Sequence, residues 1–198
     1  MKRLASALLL ALAAQTATAS ETAQVHEGQV LRGHFMQERR MQGFAKPLRS
    51  SGTFVVAPGI GLIWHAEQPF EVTTIVTRAG LTQQLAGDEI MQLSAAKLPF
   101  LSRLNTMMSG ALSGDWHALE TDFSLARTAG GRVTLTPRRT DDLASGGILR
   151  IDASVGRFVE AVDIVRPNGE SDHLGFTDQQ VAGALLPQEA AALGVLPR

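Results

Sequence analysis

The 198-residue chain contains neither cysteine nor tyrosine. Without cysteine there are no disulfides, no thiolate metal sites, no thiol nucleophile and no lipobox cysteine by which the chain could itself be lipid-anchored. Aromatics make up only 5% of the residues, so few rings or hydroxyls are available for polar recognition. An interior filled by Ala, Leu and Val suits a greasy, weakly selective cavity better than a pocket of converging polar groups. Charge of one sign is also scarce: the formal net charge is −1, far from the basic excess that nucleic acid requires. No apolar run reaches the roughly 20 residues of a membrane-crossing helix.

The basic pair Lys2-Arg3 precedes a short apolar run from Leu4 to Ala14, and Ala17-Thr-Ala19 supplies the small residues behind which a signal peptidase cuts. Residues 1–19 are therefore expected to be a secretory signal peptide, with residues 20–198 forming one domain. A domain of that size can build a stable core from ordinary side chains, without disulfides.

The most informative stretch runs from Leu31 to Thr77. Phe35, Gln37 and Arg39 share one strand parity and Met36, Glu38 and Arg40 the other, and Lys46-Pro47 breaks the ladder. Gly52 to Val56, Gly61 to His65 and Phe70 to Val76 follow as runs rich in β-branched and aromatic residues. Ala57-Pro58-Gly59 and Pro69 punctuate them. Such a meander predicts antiparallel sheet.

The pattern continues beyond it. Gly80 to Ala86 and Glu89 to Leu93 flank a Gly87-Asp88 turn, Arg132 to Thr136 is a further strand, and Ile148 to Ser154 pairs with Phe158 to Val165 around Gly156. Pro167-Asn168-Gly169 turns the chain into a strand over Glu170 to Phe176. Alternation over Trp116 to Leu125 also predicts a strand.

Helical signals are fewer. Ser20 to Val30 is a candidate short helix, and Leu185 to Pro197 contains another begun at Pro187. The clearest lies between Ser94 and Gly114, where Phe100, Leu101, Leu104, Met107, Met108, Ala111 and Leu112 recur at spacings of three and four. That stripe suits a core-packing face. Its paired methionines equally suit a surface that re-packs around variable ligands. The fold class is mostly β with a few helices (α+β).

Catalytic chemistry finds little support. The five histidines are scattered without metal-ligand spacing. Ser171-Asp172-His173 has the letters of a triad, but neighbours on a strand point to opposite faces. Glu120 and Asp122 would share one face of a strand about 7 Å apart, a separation that suits acid–base work on a sugar, but a solvated outer face explains them as well. No enzyme, metal or cofactor is expected.

Phe35-x-Gln37, Pro47-Leu48, Ser51-Gly52, Pro58, Leu62-x-Trp64 and Pro69, with Trp64 five residues before Pro69, resembles the start of the periplasmic lipoprotein carrier (LolA) family. Asp115-Trp116 and Leu135-Thr-Pro137 are weaker matches further on. The resemblance implies a curved, incomplete antiparallel β-barrel covered by helices, with an apolar cavity between sheet and lid. It implies a monomeric periplasmic carrier that takes lipid or lipoprotein acyl chains from an inner-membrane donor to an outer-membrane acceptor.

The expected cavity lining is Phe100, Leu101, Leu104, Met107 and Met108 from the lid, with Phe35, Phe54, Trp64 and Ile75 from the sheet; which strand parity faces inward stays open. One departure is visible. In the family an Arg before the Pro that ends the second strand helps hold the lid shut, whereas Ala57 precedes Pro58 here. The cargo is therefore left open between lipoprotein, free lipid, glycolipid and pigment ester. An envelope sensor or interaction domain on the same sheet is the rival reading, and an acyl-ester hydrolase a more distant one.

Overall fold

The structure, a computed structural model, describes residues 23–97, 108–128, 130–139 and 147–195. Its strands are β1 (Val30–Arg40), β2 (Leu48–Ala57), β3 (Gly61–Gln68), β4 (Val72–Thr77), β5 (Gly80–Leu85), β6 (Asp88–Ser94), β7 (Phe123–Thr128), β8 (Arg132–Pro137), β9 (Arg150–Val155), β10 (Val159–Val165) and β11 (Ser171–Ala182). All eleven form a single sheet in the order β6-β5-β4-β3-β2-β1-β11-β10-β9-β8-β7. Each neighbouring pair is antiparallel. Two meanders, one from each half of the chain, therefore meet at the β1–β11 ladder in the middle.

The sheet is open and strongly curved. In a flat sheet β3 and β8, six places apart, would be about 29 Å from one another at the usual strand spacing. Instead Trp64 of β3 and Leu135 of β8 line the same cavity. The architecture is thus the incomplete antiparallel barrel expected of the sequence.

Register assigns the faces. Leu31, Phe35, Phe54, Val56, Leu62, Val76, Val133, Leu135, Ala153, Val159 and Phe176 all lie in one cluster on the concave side. The opposite parity of β2, β3 and β4 supplies Ala57, Ile63 and Ile75 to a second, smaller cluster on the outer side, joined by Leu193. Two glycines allow close approaches. A Cβ at Gly33 would sit 2.8 Å from the Phe54 ring, and one at Gly52, where the β2–β3 register shifts, would sit 1.9 Å from the His65 carbonyl oxygen.

Short segments flank the sheet. Residues 108–113 are helical (α1) and end at Gly114, whose φ of +77° is the left-handed conformation usual just past a helix. Leu112 on this helix is buried in the concave cluster. Helix α2 (Pro187–Ala192) packs on the outer cluster; Pro187 occupies its first turn, and Glu189 accepts a hydrogen bond from the Leu186 amide at 2.7 Å.

The chain entering β1 closes one end of the concave side. The amide of Ala23 donates to Arg157 O and that of Val25 to Ser113 O, and Val25 is buried in the concave cluster.

Three local expectations are corrected. Residues 23–29 form a turn and extended chain rather than a helix; Val25 is held by its Ser113 contact and its burial, and the polar residues around it offer no second apolar side. Trp116–Leu119 is a 3-10 helix rather than the start of a strand, and β7 begins only at Phe123. With three residues per turn, Trp116 and Leu119 fall on the same side and both are buried, a spacing that the alternating pattern concealed. Glu120 and Asp122 accordingly lie in the turn leading to β7, not on one face of a strand. Finally, β11 runs on to Ala182, six residues beyond the predicted Phe176, because it pairs along β1.

Candidate functional site

Between the concave face and the helical segments lies a cavity of about 190 Å³. Its floor is built by strand alternation. Trp64 of β3, Leu135 of β8, Ile151 and Ala153 of β9, Val162 and Ile164 of β10, and Leu174 and Phe176 of β11 each take the inward parity of their strand. Met108, Ala111 and Leu112 from α1 and Trp116 and Leu119 from the 3-10 helix cover it, with Ile148 at the side. Every lining side chain is hydrocarbon, thioether or indole, so the enclosure offers dispersion contacts and no ion pair.

An aromatic group stiffens the wall nearest β1. The rings of Phe35 and Trp64 stack with centroids 3.8 Å apart, and Phe176 meets Phe54 edge-on at 5.5 Å and Trp64 at 6.2 Å. Such pairs add about 0.5–1.5 kcal/mol each beyond burial, so this wall is rigid relative to the aliphatic strands opposite it.

The expected site residues divide clearly. Trp64 and Met108 line the cavity; Phe35 and Phe54 are buried directly behind its aromatic wall, Phe54 being only 1% exposed. Ile75 takes the opposite parity, packs with Ile63 and Leu193 in the outer cluster and does not line the cavity. Phe100, Leu101, Leu104 and Met107 lie outside the described residues.

Sequence reading missed most of the floor. Ile151 and Ala153, Val162 and Ile164, and Leu174 and Phe176 are each spaced by two, a signal present in the chain but not tied to the cavity until the sheet curls.

The histidines of the strands keep to the outer face. His65 pairs with Thr73 at 2.8 Å, His173 with Asp163 at 2.6 Å, and His34 stands 3.6 Å from Asp178. Asp172 points to the concave side and His173 to the outer one, so Ser171-Asp172-His173 does not converge.

On the outer face Arg32 donates to Glu189 through Nε at 2.7 Å and through Nη2, tying α2 to β1. Burial pushes the Glu189 carboxyl up. The hydrogen bonds from Arg32 and the Leu186 amide, with the guanidinium charge, outweigh it and hold the group below its ordinary value. The hydrogen bond to Glu189 raises the Arg32 guanidinium in turn. Among the described residues no group of His, Asp and Glu could hold a metal ion, and no helix is long and apolar enough to cross a membrane.

With this geometry the chain can be set beside known proteins. It is similar to LolA superfamily proteins. NE2245 of that superfamily, from Nitrosomonas europaea, is 9% identical, with 87% of this chain and 93% of that one covered at a TM-score of 0.42. A DUF1329 family protein from Desulfovibrio piger is 11% identical, covering 83% and 91% at 0.46. MucB, in its complex with MucA from Pseudomonas aeruginosa, is 16% identical at 0.34, with 81% of this chain matched to 54% of that one. No protein-family model and no curated protein matches the sequence.

Proposed function

We propose that this protein is an exported carrier that shelters acyl chains of lipoproteins or other lipids inside its curved sheet and ferries them across the periplasm towards the outer membrane. The observation that carries the reading is the cavity between sheet and α1, walled by apolar side chains from five strands and two helical segments. Each methylene withdrawn from water is worth about 0.8 kcal/mol, so one long acyl chain contributes roughly 10 kcal/mol before ordering costs. Binding of that kind requires no catalytic group.

The volume of about 190 Å³ is below the range of roughly 300–1,000 Å³ usual for ligand pockets, so the resting cavity takes part of a chain. A whole chain is accommodated as α1 moves outward. Met108, unbranched and half-buried on that helix, is suited to re-packing against cargo of different shape. Release then requires an acceptor that binds the chains better or favours the narrow state. An inner-membrane donor and an outer-membrane acceptor are the expected partners.

Native mass spectrometry of the exported protein, followed by extraction of whatever travels with it, tests the reading. Lipid is expected to co-purify and to be lost in Met108→Asp, with circular dichroism unchanged because Met108 lies on the covering helix and not in the ladder. Lipid retained at the wild-type level in that variant overturns the site. The rival, an envelope interaction domain that recognises a protein partner, is favoured by the small resting volume; it predicts a protein that travels without lipid even when freshly isolated.

A further inference from the structure

The cavity wall is apolar throughout, yet a compact charged cluster closes the concave face at one end. On β11, Asp172 lies two residues before Leu174, so the two side chains share a face about 7 Å apart. Asp172 is also in register with Ile164 of β10, and Ile164 and Leu174 both line the cavity. The Asp172 carboxylate is 4% exposed and accepts hydrogen bonds from Arg166 Nη1 and, at 3.0 Å, from Gln37 Nε2.

Arg39, its register partner on β1, brings Nε to 3.8 Å from the same carboxylate. Two guanidinium groups therefore share the Asp172 carboxylate beside the apolar floor.

Arg39 is poised for an acceptor. Arg39 Nε is buried and has no hydrogen-bond partner among the described residues, while the side chain as a whole is 42% exposed. A buried donor left unpaired costs about 1–3 kcal/mol, which an acceptor supplied by a ligand would recover. Of the neighbouring acids, Glu38 is on the outer face with Arg49 at 2.8 Å and Asp163 is held by His173, while Glu170, two residues before Asp172, shares its parity and stands opposite Arg166 at the end of the cluster. From β2 the Ser50 hydroxyl faces the cluster, donating to Gln37 Oε1 at 3.4 Å, and Leu48 is the register partner of Arg39.

We propose that Arg39 and the Asp172–Arg166 pair form a headgroup site, and that the cargo is an amphiphile whose apolar chain enters the cavity while an anionic oxygen at its head binds Arg39. This rests on the acyl-carrier reading and narrows its cargo. A fatty-acid carboxylate and a phosphate ester share the needed chemistry. A neutral glyceride offers Arg39 only uncharged hydroxyl and ester oxygens, which make the weaker bond.

Isothermal titration calorimetry of the lipid-free exported protein with palmitate, palmitoyl lysophosphatidate and monopalmitoylglycerol, all below their micelle concentrations, tests this. At least one anionic ligand is expected to bind about tenfold or more tightly than the glyceride, in line with a charge-assisted hydrogen bond. Preference for palmitate alone assigns a carboxylate head, and preference for lysophosphatidate alone a phosphate. In Arg39→Gln the preference is expected to fall to about threefold or less while glyceride binding is kept, which itself reports a folded cavity. Arg39→Lys should retain most of it. Glyceride bound as tightly as both anions, or a preference unchanged in Arg39→Gln, overturns the headgroup site and leaves the carrier standing. Binding of none of the three overturns both.

Discussion

The two faces of the sheet use the same strands for opposite ends. On the concave side, buried side chains from nine strands, β1 to β4 and β7 to β11, converge and still leave a cavity of about 190 Å³; on the outer side, a few residues from β2, β3 and β4 meet Leu193 and are sealed by α2 and an ion pair. The larger cluster is thus the one that leaves space among the described residues, whereas interiors otherwise pack to the density of organic crystals.

The contrast can be broken most severely at the aromatic wall. Phe54→Ala removes a ring that is 1% exposed and braces Phe176, and is expected to cost about 3–5 kcal/mol in urea unfolding. A milder comparison adds volume on each face. Ala57→Leu, in the sealed outer cluster, is expected to destabilise by about 1–3 kcal/mol through overpacking. Ala153→Leu, whose side chain would extend into the cavity, is expected to leave the urea midpoint unchanged or raised and to abolish lipid co-purification. Equal destabilisation by the two leucines would mean that the void is no more accommodating than the sealed core.

The ion pair sharpens the outer side. Glu189→Gln is expected to cost about 1.5–3 kcal/mol, the range for hydrogen bonds to charged groups, read as faster hydrogen exchange over α2 with the β1–β11 ladder protected. The smallest effect is one of pH. Because the Glu189 carboxyl is held below its ordinary value when folded, its contribution is complete above the unfolded value. It is lost as pH falls through the folded one. Acid should therefore loosen α2 in the wild type, and less so in Glu189→Gln.

Much of the sheet was legible from the chain. Strand runs punctuated by Pro58, Pro69, Gly87 and Asn168-Gly169 placed most of the strands, because turn chemistry is local. Trp64 and Met108 were read as cavity residues and line it. What the sequence hid was non-local. The pairing of β1 with β11, which joins residues more than a hundred positions apart and carries β11 on to Ala182, has no local signature.

The face of Ile75 was equally hidden, since either parity of β4 holds apolar side chains; only the pairing of Ile63 with Ile75, beneath Leu193, fixes it. The 3-10 turn at Trp116 was misread as alternation because both periods place an apolar residue at Leu119.

The open rim has a mechanical consequence. Strands β6 and β7 stand at opposite margins and share no ladder with each other. A closed barrel could widen only by tearing a row of amide contacts. This one can splay like a clasp with every strand pair intact, so the width of its concave side is set by bending of the sheet and by the cover over it, not by a fixed ring.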